Sequence, residues 1–274
     1  MSNYSENLVE IVLPLWQPTV RIKPHRIHAF VGKRGSGKSV AMRHVLFSLR
    51  KQVHSGVCMS GTELCNEYFG RHIPASFIFD SYRPDVVKRT VKRQVRLKKD
   101  GRDPLKNPVF LLLEDCMWEA NEMIKDKFLR FIFNNGRHIG ITLLLSSQFV
   151  LDLPPKMRGQ IDYVYTFKEH VPKNKIRLWD HFYGIVEQFE VFRQMLNQCT
   201  NDHNCLVLDT TGQQNSMEDM LAVWKADAVL PDFKVGNQAY WQFHLMNYDP
   251  DAEDSDSDDN AANMRKAKVR VRTV

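Results

Sequence analysis

A short glycine-rich stretch near the start of the chain has the residue types and spacing that hold phosphate. Residues 32–39 read GKRGSGKS and match the pattern G-x-x-x-x-G-K-[ST] at every fixed position. In such a loop the glycines let successive backbone N–H groups point at a phosphate, the lysine reaches the β and γ oxygens, and the serine hydroxyl binds Mg²⁺. The predicted nucleotide-binding residues are Gly32, Gly35, Ser36, Gly37, Lys38 and Ser39.

The segments on either side of this loop meet the requirements of that chemistry. Residues 27–31 predict a buried strand, and residues 38–51 predict a helix whose first N–H groups add partial positive charge for the phosphates. A plain glycine-rich turn would not explain Lys38 and Ser39 together. The pattern therefore predicts nucleotide binding, with ATP and Mg²⁺ as the expected ligands.

Two adjacent acids follow an apolar run later in the chain. The run Val109–Leu113 predicts a strand, and Glu114 and Asp115 stand at its end. We expect the first acid to bind Mg²⁺ together with Ser39, and the second to act as the base that polarises the attacking water. The order Glu-Asp leaves the exchange of these two roles open. A water-activating acid beside a metal ligand favours hydrolysis over group transfer to a small acceptor.

A third polar residue ends another apolar run. Residues 140–148 read GITLLLSSQ and predict a strand that places Gln148 at its carboxyl end. In a sheet with an additional strand, this strand lies between the phosphate-loop strand and the acidic strand. We therefore expect Gln148 to sense the γ-phosphate or to orient the attacking water.

Apolar runs and helical patterns alternate along the chain, which predicts an α/β fold with a mostly parallel sheet flanked by helices. The predicted strands are Ile27–Val31, Gly56–Met59, Phe77–Phe79, Val109–Leu113, Ile141–Leu145, Tyr163–Phe167 and Leu206–Leu208. The predicted helices are Lys38–Lys51, Pro84–Lys99, Glu119–Asn134 and Lys173–Phe182.

The composition of the 274 residues divides the chain into two parts. Over the whole chain, 43% hydrophobic and 26% charged residues are ordinary for a globular protein, which predicts that most of it folds. The length favours one sizeable domain, at residues 1–248. Residues 249–274 form an acidic block followed by a basic one, which predicts a disordered tail. Subtracting the tail's net charge of −2 from the total of +6 leaves +8 for the domain. That excess favours a polyanionic partner such as nucleic acid.

The sequence offers no sign of export, membrane insertion or a disulfide framework. No window has the ~20 apolar residues of a membrane span, and the first residues lack a signal-peptide pattern. The five cysteines are odd in number and have no paired spacing. The run from Cys199 to Cys205, with His203 inside, lacks the CxxC pair of a zinc site.

Taken together, these motifs resemble a known family. GKRGSGKS, LLLEDC and NNGRHIGITLLLSSQ, followed by LPPKMRGQIDYVYTF, are similar to segments of the DNA-packaging ATPases of large nucleocytoplasmic DNA viruses, the poxvirus-type branch of the FtsK–HerA superfamily. The resemblance covers residues 22–236. Its most telling part is the run from strand to glutamine, preceded by NGRH and followed by PP-x-x-R and DYVYTF.

The resemblance implies a RecA-like, additional-strand P-loop ATPase core that assembles as a ring, a hexamer in this family. ATP hydrolysis would then drive double-stranded DNA into a viral capsid, with capsid or portal components as further partners. The expected location is the host cytoplasm at the virus assembly site, or the virion. Rings of this type insert an arginine into the neighbouring subunit's site. Arg137 and Arg158, before and after the Gln148 strand, are the two candidates for that role.

The most basic stretch of the chain predicts where DNA would bind. Between residues 83 and 106 it carries Lys88, Arg89, Lys92, Arg93, Arg96, Lys98, Lys99, Arg102 and Lys106. Val87, Val91 and Val95 recur at every fourth position, so one stripe of the predicted helix packs on the sheet while the basic stripe faces outward. Such a surface binds phosphates without reading bases, although a merely solvated helix face has the same pattern.

Two other functions fit the same motifs. A cellular or plasmid-type DNA pump of the FtsK–HerA superfamily would share the chemistry but work with other partners. A P-loop kinase of a small molecule would instead transfer the γ-phosphate to an acceptor. Stimulation of hydrolysis by DNA or by a small acceptor distinguishes these enzymes.

Overall fold

The described residues, 10–63, 67–116, 120–148, 153–213 and 216–248 of a computed structural model, build an eight-stranded sheet. The strands are β1 (Ile27–Val31), β2 (Ser55–Ser60), β3 (Ile78–Phe79), β4 (Val109–Glu114), β5 (Ile141–Ser147), β6 (Tyr163–Thr166), β7 (Cys205–Asp209) and β8 (Leu221–Trp224). Their order across the sheet is β3-β2-β4-β5-β1-β6-β7-β8. Neighbours from β3 to β6 are parallel, whereas β7 and β8 pair antiparallel. The mostly parallel α/β sheet expected from the sequence is confirmed.

Helices cover both faces of this sheet. They are α1 (Pro18–Arg21), α2 (Lys38–Leu49), α3 (Pro84–Lys99), α4 (Ala120–Lys125), α5 (Lys127–Asn135), α6 (Pro155–Arg158), α7 (Pro172–Phe182), α8 (Phe189–Cys199), α9 (Met217–Met220) and α10 (Gln238–Asn247). Short 3₁₀ helices lie at Ala75–Phe77, Pro104–Lys106 and Gly136–Ile139.

The order of the central strands decides which side chains can meet. Strand β5 lies between β1 and β4 and pairs in parallel with both. The carboxyl ends of β1, β4 and β5 therefore lie side by side at one edge of the sheet, which we call the carboxyl edge. This is the additional-strand arrangement that the sequence predicts.

Successive side chains of each strand point to opposite faces of the sheet, so the core forms two layers. Phe110 and Leu112 of β4 belong to the cluster that packs against α2, whereas Leu111 and Leu113 belong to the cluster under α3, α5 and α8. All four side chains are buried. Parallel strands buried on both faces read as continuous apolar runs, which is why the sequence identified them.

Helix α3 agrees with its predicted bounds and orientation. Val87 and Val91 are buried in the core, and Val95 is partly buried against it. Gln94 is also buried, where its amide donates to the backbone oxygens of Asn107 and Ile139. The charged side of the helix faces outward as predicted.

The sequence prediction was wrong for one long helix and missed several elements. The helix predicted at Glu119–Asn134 is two helices, α4 and α5, because Asp126 caps the second one by accepting from the backbone N–H of Phe128 at 2.7 Å. Most of the predicted strand at residues 77–79 remains, but it begins after a 3₁₀ turn. Strand β8 and helices α8 and α10 had no counterpart in the prediction.

None of the described helices is long and apolar enough to cross a membrane. The predicted tail at residues 249–274 lies outside the described residues.

Candidate nucleotide-binding site

The glycine-rich loop connects β1 to α2 at the carboxyl edge. Gly37 caps α2 with a φ of 105°, a left-handed conformation that L side chains rarely adopt. A Cβ added to Gly32 would lie 2.7 Å from the Cβ of Phe167, which follows β6. The backbone conformation therefore requires Gly37, and the close approach of the Phe167 side chain requires Gly32.

Lys38 stands at the first position of α2 and folds back over the loop. Its Nζ donates to the backbone oxygens of Gly32 (2.6 Å) and Lys33 (2.8 Å). Burial lowers the pKa of Lys38, and the nearby carboxylates of Asp115 and Glu114 oppose that change. The ammonium group thus lies between the loop and the acidic pair.

Glu114 is the last residue of β4 and is only 5% exposed. It has the same alternation as Phe110 and Leu112, so it lies on the face that α2 covers. Its Oε2 accepts from the hydroxyls of Ser60 (2.7 Å) and Thr62 (3.3 Å) at the end of β2. Ser60 is directly opposite Glu114 in the strand register.

Asp115 links the loop to the Gln148 strand. Its φ of 51° turns the backbone out of β4, and its N–H donates to Ser146 Oγ at 3.0 Å. Its Oδ1 accepts from Gln148 Nε2 at 3.0 Å, and its Oδ2 lies 3.2 Å from Arg34 Nη2 of the loop. One carboxylate therefore contacts two of the three predicted segments of the site.

The structure thus brings Lys38, Glu114, Asp115 and Gln148 together at the carboxyl edge. It does not bring the two candidate arginines there. Exposed Arg137 precedes β5, whose seven residues span roughly 20 Å, at about 3.3 Å per residue, before the site is reached.

Arg158 also lies away from the loop of its own chain. It ends α6, and its Nη1 donates to the backbone oxygen of Leu153 at 2.6 Å. The chain then continues to Asp162, whose N–H donates to the oxygen of Ile27, the first residue of β1. The backbone oxygen of Arg158 accepts from the N–H of Ile161, the residue before Asp162, at 3.2 Å, so Arg158 lies near the opposite, amino edge of the sheet. Arg137 lies near the same edge, since it precedes β5 and its charge opposes the rise that burial causes in the pKa of Asp162.

Among the residues at the site to which the sequence analysis gave no role there are Ser60, Phe167 and His203. Ser60 could have been found by the signal that identified Gln148, since it is a polar residue directly after a predicted apolar strand. His203 could not, because only the tertiary structure places its turn next to Gly37, where a Cβ would lie 3.5 Å from the Cβ of His203.

The donor set fits Mg²⁺ held jointly with phosphate. Ser39 lies in the first turn of α2 and Glu114 on the face below that helix, and both offer oxygen, the ligand atom that Mg²⁺ prefers. Among the described residues no group of three or more His, Cys, Asp or Glu side chains could hold a metal. A site completed by water and phosphate oxygens is the usual arrangement for this ion.

The β1–loop–α2 unit, the acidic strand and the strand inserted between them define a P-loop NTPase fold. The crystal structure of B204, the DNA-packaging ATPase from Sulfolobus turreted icosahedral virus, superposes with a TM-score of 0.55 at 18% identity, covering 75% of this chain and 100% of B204. The genome packaging NTPase B204 of Sulfolobus turreted icosahedral virus 2 in complex with ATP-gammaS gives 0.54 at 20% identity, covering 74% and 98%. At this identity the likeness establishes the fold.

Sequence comparison identifies the family. The chain belongs to the family of uncharacterized protein 075L of Invertebrate iridescent virus 6, with 32% identity over 221 residues, 80% of this chain and 84% of 075L. Protein 088R of Invertebrate iridescent virus 3 is 32% identical over 197 residues, 72% of this chain and 74% of the relative. Protein L437 of Acanthamoeba polyphaga mimivirus is 28% identical over 227 residues, 81% and 79%. No protein-family model matches.

Proposed function

We propose that this protein hydrolyses ATP to translocate double-stranded DNA and that it packages a viral genome. The observation that carries the proposal is the convergence of Lys38, the acidic pair and Gln148 at the ends of three adjoining strands. Two further findings support it. The relatives are proteins of large DNA viruses, and the two superposed structures are described as packaging NTPases.

In this proposal the acidic residues divide the chemistry between them. Glu114 acts on the metal side with Ser39, because it lies on the face covered by α2. Asp115 accepts a proton from the attacking water, and Gln148 holds the Asp115 carboxylate in place through the 3.0 Å hydrogen bond. When bound, Mg²⁺ neutralises charge on the phosphates. Lys38 supplies positive charge to the β and γ oxygens.

Helix α3 provides the surface for the DNA backbone. Arg89, Arg96 and Arg102 form ion pairs with Asp85 or Asp100. Lys88, Lys92 and Lys99 are exposed and fall on one side of the helix at spacings of four and seven residues. A row of lysines binds phosphates of any sequence, as a translocase requires.

A ring of subunits, a hexamer in this proposal, completes each site. Arg137 and Arg158 lie near the amino edge, so either one could reach a phosphate loop only in a neighbouring subunit. Such an arginine stabilises charge that develops on the transferred phosphoryl group. Capsid or portal components are the proposed receivers of the DNA. Host cytoplasm at the assembly site, or the virion, is the proposed location.

The test is steady-state ATP hydrolysis with and without duplex DNA. We expect duplex DNA to stimulate the wild-type protein, and the Lys38→Ala and Asp115→Asn variants to lose both basal and stimulated hydrolysis. Stimulation by a nucleoside with no response to DNA would instead support a small-molecule kinase. A cellular-type FtsK–HerA pump gives the same hydrolysis result and is distinguished by whether the protein copurifies with capsids from infected cells.

A further inference from the structure

A turn of the chain lies directly beside the phosphate loop without belonging to it. This turn, Asn201–Asn204, connects α8 to β7, and the backbone oxygen of His203 would lie 3.7 Å from a Cβ at Gly37. Asp202 and His203 both have positive φ, 50° and 62°, and the side chain of His203 is exposed. The imidazole therefore starts from a Cβ beside the phosphate loop and is exposed to a ligand.

The catalytic groups are all on one flank of the phosphate loop. Glu114, Asp115 and Gln148 lie at the carboxyl ends of β4 and β5, on one side of β1 in the sheet. The Asn201–Asn204 turn precedes β7, on the other side of β1 beyond β6. If the γ-phosphate faces the acidic pair, the opposite end of the nucleotide leaves the loop toward the flank that carries His203.

Neighbouring contacts fix the position of this turn. Lys168, just after β6, donates from Nζ to Asn201 Oδ1 at 3.0 Å. Phe167 packs beneath the loop, where its ring would lie 3.4 Å from a Cβ at Gly37. The backbone N–H of Asn204 closes the turn on the oxygen of Asn201 at 2.9 Å. These contacts therefore hold the backbone of the Asn201–Asn204 turn against the phosphate loop.

We propose that the base of the bound nucleoside triphosphate stacks on the imidazole of His203. This rests on the proposed nucleotide binding and extends it to the part of the ligand that the glycine-rich loop does not hold. Stacking on a flat ring works for any base, because every base has a π face. The site thus contributes affinity for the nucleoside with weak discrimination between ATP and GTP.

The test compares a ligand that has a base with one that has none. Isothermal titration calorimetry with Mg²⁺ measures the dissociation constants of ATPγS and of inorganic tripolyphosphate for the wild type and two variants. His203→Ala removes the ring, and His203→Asn does so with a residue that tolerates positive φ. We expect both variants to bind ATPγS about 5-fold or more weakly, since base–aromatic stacking is worth ~1–3 kcal/mol, and to bind tripolyphosphate as the wild type does.

A matched control is His138→Ala, because His138 is also exposed but lies in the 3₁₀ helix before β5. It should leave both affinities unchanged. The proposal is overturned if the His203 variants bind ATPγS as tightly as the wild type, or if they lose the same factor for both ligands. If the wild type binds neither ligand, nucleotide binding itself is overturned. Lys38→Ala shows how a loss of phosphate binding looks, because it should weaken the binding of both ligands. Loss of His203 stacking should weaken the binding of ATPγS alone.

Discussion

Asp115 is the side chain at which the chemistry of the site can be tested most directly. Replacing it with Asn keeps the shape but removes the proposed proton acceptor, so we expect kcat to fall by ~10²-fold or more while nucleotide affinity is retained. Single-turnover hydrolysis and equilibrium binding of ATPγS are the two measurements.

Glu114→Gln is the companion variant, because it alters the carboxylate that we propose to act on the metal side. We expect its largest effect on the Mg²⁺ concentration that gives half-maximal hydrolysis. Should Glu114→Gln abolish hydrolysis at saturating Mg²⁺ while Asp115→Asn shifts only the Mg²⁺ dependence, the two roles are exchanged, as the Glu-Asp order in the sequence allows.

His28 makes the stability of the fold depend on pH. It is fully buried in β1, stacks on Tyr163 with ring centroids 4.6 Å apart, and contacts the Tyr165 hydroxyl through Nδ1 at 3.2 Å. Burial, helped by the charge of Arg26, lowers the pKa of His28 from 6.5 to about 3. Between pH 6.5 and about pH 3, His28 is therefore protonated in the unfolded chain and neutral in the folded protein. The free energy of unfolding falls as the pH falls through this range.

The expected size of this effect follows from the two pKa values. Between pH 7 and pH 5, His28 alone should cost about 2 kcal/mol of the free energy of unfolding. His28→Phe removes the titrating group and keeps a ring, so the loss between the two pH values should be smaller by that amount. Urea denaturation at both pH values measures it. An unchanged difference in the variant would show that His28 is protonated equally in both states.

Helix α3 is the element whose proposed role is electrostatic. Each lysine that neutralises a DNA phosphate adds ~0.9 to the slope of log K against log salt concentration. We expect the triple variant Lys88→Ala, Lys92→Ala, Lys99→Ala to bind duplex DNA more weakly, with a salt slope reduced by about 2 to 3. Fluorescence anisotropy over a range of salt concentrations provides the measurement.

The control for this helix removes the same number of positive charges from residues outside α3. Lys51, Lys125 and Lys173 are exposed and lie outside α3. Their triple alanine variant should keep the wild-type slope. Equal slopes in both triple variants would mean that net charge, and not the surface of α3, attracts DNA.

The elements differ in how far local sequence specified them. Helix α3 was predictable because Val87 and Val91 recur at helical spacing and a proline begins the helix. Helices α4 and α5 were not separated, since Asp126 reads as an ordinary polar residue until the side chain is seen to cap α5. Strand β8 is only four residues long and pairs at the sheet margin, so its pattern alone carries little information.

The whole molecule determines whether an arginine completes a neighbour's site. We expect one of Arg137 and Arg158 to enter the neighbouring subunit's site. The alanine variant of that arginine should be inactive alone and should regain part of its ATPase activity when mixed with Lys38→Ala subunits. Each Lys38→Ala subunit still offers its arginine to an intact phosphate loop next to it. The measurement is hydrolysis across mixing ratios.

Arg130→Ala is the control, because Arg130 is exposed on α5 and its Nη2 donates to the backbone oxygen of Lys125 of the same chain at 2.7 Å. This variant should remain active without mixing. If neither Arg137→Ala nor Arg158→Ala lowers hydrolysis, or if mixing restores nothing, neither arginine works between subunits.

The amino-acid sequence by itself determined which motifs are present and the order in which they follow one another. The loop at residues 32–39, the acids at residues 114 and 115 and the glutamine at residue 148 are local patterns, because each depends on a strand end and its next few residues. Parallel strands that are buried on both faces have continuous apolar sequences, so the number and direction of these strands could largely be predicted.

Only the tertiary structure decided which side chains meet across those ends. Ser60 contacts Glu114 although 54 residues separate them, and His203 reaches Gly37 from a turn far along the chain. The same pairing of strands leaves Arg137 near the opposite edge from the loop. Such contacts depend on strand order and on the face to which each residue points, and both are set by packing of the whole sheet, which no local pattern encodes.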